Sequence, residues 1–178
     1  MIPKKICYNE INDTRKDSYY ESQKGCYMTQ KHEDDLLLLD KQLCFPIYAC
    51  ARKIVAAYHP FLKAIGLTYT QYVTMMVLWE KKTISVRDLG HRLYLDSGTL
   101  TPVLKKLEQL GYIERHRSTE DERVVNVILT KAGMARKKQA KNVPEQMGCH
   151  LAEEGVILSP EEIETMKAEL YKILQGLR

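Results

Sequence analysis

Several things are scarce in this chain, and each scarcity excludes something. No apolar run approaches the roughly 18–20 residues that span a bilayer, so no membrane-spanning helix is expected. Residues 1–35 carry six Lys/Arg and seven Asp/Glu and no apolar core, which argues against an export signal. Glycine is sparse, 9 in 178 residues, and forms no phosphate-cradling loop. The five cysteines, at 7, 26, 44, 50 and 149, make no C-x-x-C pair, and His32, His59, His91, His116 and His150 are scattered. No metal-ligand spacing results, and neither a metal nor a cofactor is expected. An odd set of thiols without an export signal points to a reducing, cytoplasmic compartment. Charge of neither sign dominates: Lys+Arg 27 against Asp+Glu 23 gives +4, which permits a nucleic-acid partner without arguing for one. Phe and Trp total three, against 11 Tyr, so any aromatic chemistry here is tyrosine chemistry.

What is present is the balance of one soluble domain, 44% hydrophobic and 28% charged, with a tail. Residues 1–35 lack periodicity and read as a flexible extension; residues 36–178 read as the folded domain. A first long helix is expected from Leu36 to about Tyr58. Leu37, Cys44, Ala51 and Tyr58 repeat every seven residues, and a second stripe runs Leu36, Leu39, Leu43, Ile47, Cys50, Ile54. Two stripes leave little polar face, so one side is expected to pack on its own domain and the other on a partner chain. Pro46 should bend this helix or mark its first turn. Thr68-Tyr69-Thr70-Gln71 and Ser85-Val86-Arg87-Asp88 are N-terminal capping patterns for two further helices. A third helix follows Asp96, with Val103, Leu104, Leu107 and Leu110 at helical spacing and Gly111 as its stop. Pro102 places its start near Ser97–Thr99. The period then changes to two short β-type runs, Tyr112–Arg117 and Val124–Leu129, around the charged loop 118–123. Thr130 caps a basic helix that Pro144 bends or ends, and Ser159-Pro160-Glu161-Glu162 opens the last one.

Helix, turn, helix and a charged hairpin, in a mainly α chain, is the order of a winged helix-turn-helix. Ser97, Thr99 and Thr101 are short polar side chains at a helix N-terminus, where backbone N–H groups also attract phosphate. Lys105 and Lys106 lie further along that helix. Arg115, His116, Arg117 and Arg123 make the hairpin basic, and an Arg at a hairpin tip suits a narrow minor groove. Against this, Glu114, Glu120, Asp121 and Glu122 offset most of that charge, so a solvated surface remains open on pattern alone. Cys44 has two readings as well. A helix N-terminus favours thiolate over thiol, whereas a cysteine on an apolar stripe is more often a small hydrophobe.

The run from Leu93 to Glu108, with Asp96-Ser97-Gly98-Thr99-Leu100-Thr101-Pro102 at its centre and Asp121-Glu122-Arg123 in the hairpin, resembles the MarR family of transcriptional regulators. Within that family it is most similar to the branch of organic hydroperoxide resistance regulators. The resemblance covers about Leu36–Leu177. It implies a homodimer built by 36–58 and 131–178, a DNA-binding winged helix over 68–130, and a pseudo-palindromic double-stranded operator. Ser97–Leu110 would enter the major groove and Arg123 the minor groove, with Asp121 holding the wing or the Arg side chain. Gln42-Leu43-Cys44-Phe45 matches the family's peroxide-sensing cysteine segment. Tyr58 and Tyr69 match the two tyrosines whose hydroxyls reach that cysteine across the dimer. Cys149 matches the second cysteine of the two-cysteine type, supplied by the other subunit; a Cys149 with no role, and Cys50 as a competing resolver, are the alternatives.

The function so implied is repression relieved when an organic hydroperoxide oxidises Cys44. A MarR-type repressor gated by a small aromatic ligand or another oxidant is the nearer alternative. A cysteine-dependent peroxidase is the farther one. It would leave the reading helix unexplained, and no histidine is placed beside Cys44 in the sequence.

Overall fold

The computed structural model describes residues 37–119 and 121–177. The flexible extension expected over 1–35 lies outside the described residues. The chain divides into two compact units, Met1–Lys53 and Ile54–Arg178, with the boundary inside the first α-helix.

In the first unit a 3-10 turn, Leu39–Lys41, precedes the start of α1, Cys44–Ala64. The helix therefore opens eight residues later than the leucine pattern predicts. Leu36–Leu39 offers apolar side chains but no capping oxygen, and Gln42 at the end of the 3-10 turn is extended (φ −93°, ψ 115°), which keeps the turn apart from the helix. Pro46 lies in the first turn of α1, where its missing N–H costs nothing. The helix also outruns the expected end at Tyr58. Pro60 within it has no N–H to give to the Ala56 carbonyl, and both residues are exposed.

In the second unit come α2 (Tyr69–Lys81), β1 (Thr83–Ser85), α3 (Val86–Leu93), α4 (Ser97–Gln109), β2 (Ile113–Arg117), β3 (Val125–Leu129), α5 (Lys131–Ala140), α6 (Val143–Glu153) and α7 (Pro160–Gly176). The caps act as the sequence predicts. Thr68 and Gln71, and Ser159 and Glu162, form reciprocal capping boxes. Ser85 accepts from the Asp88 N–H and Thr130 from the Gly133 N–H. Pro144 sits in the first turn of α6, separating it from α5. One element has no counterpart in the sequence pattern. β1 pairs antiparallel with β3 (Ile84↔Val127), so the expected two-stranded hairpin is a three-stranded sheet of order β1-β3-β2.

Leu62, Met75, Leu78, Leu89, Leu100, Leu104, Leu107, Ile113, Val127 and Val143 form the core of this unit, each at most 1% exposed. It fixes α3 and α4 against the sheet and thereby aims the end of α4. Gly133 lets α5 approach closely: a Cβ there would overlap the Tyr112 carbonyl, while the Trp79 indole N–H donates to the Gly133 carbonyl at 2.9 Å. Among the described residues, four helices close with the same turn, in which an N–H bonds a carbonyl five residues back: Leu67 to Leu62, Leu95 to Gly90, Tyr112 to Leu107 and Val156 to Leu151. Three place glycine in the left-handed position, Gly66, Gly111 and Gly155, with φ between 69° and 80°. The fourth, after α3, places Tyr94 there (φ 54°, ψ 38°).

Candidate nucleic-acid interface and cysteine sites

The Asp96 carboxylate caps α4, accepting from the Thr99 N–H and hydroxyl, both at 2.9 Å. Those two bonds hold its carboxyl below the usual carboxylate range and keep it charged at neutral pH. The Thr101 hydroxyl donates to the Ser97 carbonyl at 2.6 Å. Ser97, Thr99 and Thr101 are all exposed on the first turns, with Lys105 and Lys106 exposed further along. Thr99 and Thr101 thus present fixed acceptor oxygens, because their own protons are already placed.

In the hairpin, the Asp121 carboxylate accepts from the Arg123 backbone N–H at 2.9 Å, and the Ser118 N–H donates to the Val124 carbonyl. Asp121 therefore shapes the turn that presents Arg123, which is exposed with Arg117. His116 lies 3.1 Å from Glu114. Arg115 differs from the other cations. Its guanidinium donates twice to Glu108 of α4, at 2.6 and 3.1 Å, and is half-buried. The pair ties strand β2 to α4 and holds the Glu108 carboxyl below its usual range. Arg115 therefore braces the wing against the helix, a pairing the sequence could not announce because both residues look like ordinary surface charges.

The Tyr58 and Tyr69 rings meet with centroids 5.2 Å apart. Tyr72, which no sequence motif singles out, completes the group at 6.2 Å from Tyr58, with Trp79 behind it at 6.3 Å. Its position three residues after Tyr69 on α2 was the available signal. Burial first, and then Tyr69, push the Tyr58 phenol above its ordinary value, and Tyr72 shifts the same way. Both hydroxyls stay protonated donors well into the alkaline range.

Cys44 is the first residue of α1 and is exposed; Cys50 is exposed on the same helix. Six residues on a helix rise about 9 Å, beyond the roughly 7 Å between Cα atoms that a disulfide allows, so these two cannot bond without unwinding α1. Cys149, on α6, is also exposed and lines a cleft of about 470 Å³ with Phe61, Glu145, Gln146, His150 and Glu153. The His150 ring packs edge-on to Phe61 at 5.9 Å.

No helix among the described residues is long and apolar enough to cross a membrane. Residues 56–140 match the family model described as transcriptional regulator SarA/Rot. The organic hydroperoxide resistance transcriptional regulator of Bacillus subtilis (strain 168) is 42% identical over 148 residues, 80% of this chain and 94% of its own. Among solved structures, overoxidised AbfR bound to DNA superposes with a TM-score of 0.66 at 31% identity, covering 83% of this chain and all of that one. Apo MarR from E. coli gives 0.58 at 25%, covering 75% and 96%. The winged helix-turn-helix, its capped reading helix and these relatives together place the chain in the MarR family of transcriptional regulators, with the organic hydroperoxide resistance regulators among its relatives.

Proposed function

We propose that this protein is a homodimeric repressor that binds a pseudo-palindromic DNA operator and releases it when an organic hydroperoxide oxidises Cys44. The observation that carries the reading is the position of Cys44, exposed at the first residue of α1 in a chain whose relatives include a hydroperoxide resistance regulator. Ser97, Thr99, Thr101, Lys105 and Lys106 face the major groove; Arg117 and Arg123 serve the wing, with Asp121 setting its turn and Arg115 bracing it. Support for a dimer comes from apolar side chains that one subunit leaves uncovered. Leu37, Leu39, Leu43 and Ile47 are exposed in the first unit, and Ile157, Ile163, Met166, Leu170 and Leu174 in the second. Helix α7 buries none of its residues within its own chain. Surfaces of this kind mark interfaces.

The chemistry balances without a cofactor or metal. The Cys44 thiolate attacks one peroxide oxygen, the O–O bond breaks, an alcohol leaves, and Cys44 becomes a sulfenic acid. A second thiol then displaces the hydroxyl, which departs as water, and a disulfide forms. Tyr58 and Tyr69 of one subunit donate hydrogen bonds to the Cys44 of the other, favouring thiolate without adding a charge. The new bond moves those tyrosines and the reading heads with them. Breaking a single base interaction costs about 1–3 kcal/mol, so misplacing one head releases the operator. The protein acts with DNA in the cytoplasm and turns over no substrate.

A gel shift with cumene hydroperoxide and dithiothreitol tests this. Cys44→Ser keeps size and removes the nucleophile, so it should bind DNA and ignore the oxidant. A Ser variant that still dissociates with peroxide would show that Cys44 is not the sensor. Continuous peroxide turnover with a reductant would point to the peroxidase instead.

A further inference from the structure

We infer that Tyr94 is a DNA-backbone contact, its phenol hydroxyl donating to a phosphate oxygen at the rim of the groove that α4 enters. The inference rests on the reading of α4 as the groove helix and adds to it a residue outside both α4 and the wing.

The turn after α3 does not call for tyrosine. The same turn closes α1, α4 and α6 with glycine, which enters the left-handed region freely, whereas a tyrosine there brings its Cβ against its own backbone. The core does not call for it either. Tyr94 is 56% exposed and outside the buried cluster, and its hydroxyl has no hydrogen-bond partner among the described residues. A disfavoured conformation held by an exposed side chain is a mark of function rather than of folding.

Position then selects the partner. Tyr94 precedes the first residue of α4 by three residues, a span of at most about 10 Å along the backbone. In a helix-turn-helix the N-terminus of the second helix meets base edges, so a side chain this close to it meets the phosphates flanking them. Tyrosine hydroxyls are established phosphate donors, and a neutral donor on a charged oxygen makes one of the stronger hydrogen bonds. Two residues away on either side, Arg92 is exposed and lies 3.6 Å from Glu80, and the exposed Asp96 carboxylate is engaged by Thr99, so the surroundings of Tyr94 are wet and ionic and not an apolar protein interface.

The test compares wild type, Tyr94→Phe and Tyr94→Gly by fluorescence anisotropy. The probes are short duplexes selected from a random library by the wild-type protein, and an unselected duplex, each over a range of KCl. Tyr94→Phe should weaken both probes by about tenfold with the salt slope unchanged, because a phenol neutralises no phosphate. Tyr94→Gly should weaken them at least as much while raising the melting temperature, since glycine relieves the turn. A Phe variant that binds both probes like wild type overturns the assignment, and so does a loss confined to the selected duplexes. Ser97→Ala and Lys105→Ala run alongside: if both also bind as wild type, the reading of α4 falls; if they lose affinity and Tyr94→Phe does not, only the Tyr94 contact falls.

Discussion

At the scale of single residues, three tyrosines pack together and one arginine braces a strand against a helix. Tyr58, Tyr69 and Tyr72 form a shared aromatic group, and burial favours the neutral phenol at Tyr58 and Tyr72. Tyr58→Phe keeps the ring and its packing but removes the hydroxyl that, in the proposed function, donates to Cys44. It should therefore raise the hydroperoxide concentration needed for half-release by several-fold while leaving DNA affinity unchanged. The same phenols set a pH dependence. Tyr58 and Tyr72 are raised above the ordinary 10.0, so the folded state keeps protons that the unfolded chain gives up above that pH. Their contribution is complete below pH 10 and is lost as pH climbs past it. Urea midpoints measured through the alkaline range should fall for wild type and fall less for Tyr58→Phe. Tyr58 and Tyr69 could be picked out from a family resemblance, whereas Tyr72 and the Arg115–Glu108 pair depend on which faces of α2, α4 and β2 meet. That is tertiary information, absent from any local pattern.

At the scale of elements, starts and stops were legible wherever a side-chain oxygen does the stopping. The boxes at Thr68 and Ser159 and the cap at Thr130 are local events, written within four residues. Thr130 has a second duty: its hydroxyl donates to the Gly111 carbonyl at 2.7 Å while accepting from Gly133. Thr130→Ala should thus cost about 1–2 kcal/mol in urea unfolding, at the upper end for a cap, because the end of α4 and the start of α5 come loose together. Strand β1 was illegible for the opposite reason. Three residues give no alternation to detect, and its identity lies in the ladder to β3, more than forty residues later in the chain. The wing itself was legible from its charged loop. Arg123→Ala should weaken DNA binding with dimerisation unchanged, since its side chain lies outside the core. It should flatten the salt dependence by about one unit for each phosphate charge left unneutralised. Unaltered affinity in a filter-binding titration would remove the wing from the interface.

For the whole molecule, the sequence already held the argument for a partner in its two apolar stripes, and the single chain leaves such surface open along α7 and before α1. In the proposed dimer, a second subunit brings a second thiol as well as burial. Cys50 is barred from Cys44 by the rise of α1, and Cys149 is exposed beside a cleft on α6. In the proposed dimer the resolving thiol is the partner's Cys149, which the rise of α1 does not limit. After hydroperoxide treatment the protein should therefore run as a dithiothreitol-sensitive dimer on non-reducing gels, and tryptic mapping should recover a Cys44–Cys149 peptide pair. Cys149→Ser should abolish that dimer, while Cys50→Ser should leave it in place. If oxidised wild type instead stays monomeric on the gel with Cys44 joined to a small thiol, resolution comes from solution. The protein then belongs with the one-cysteine sensors, and Cys149 is an ordinary surface thiol. The Cys50→Ser arm separates these outcomes from a rearranged helix: a dimer lost in that variant alone would mean that α1 unwinds on oxidation and brings its own second thiol to Cys44.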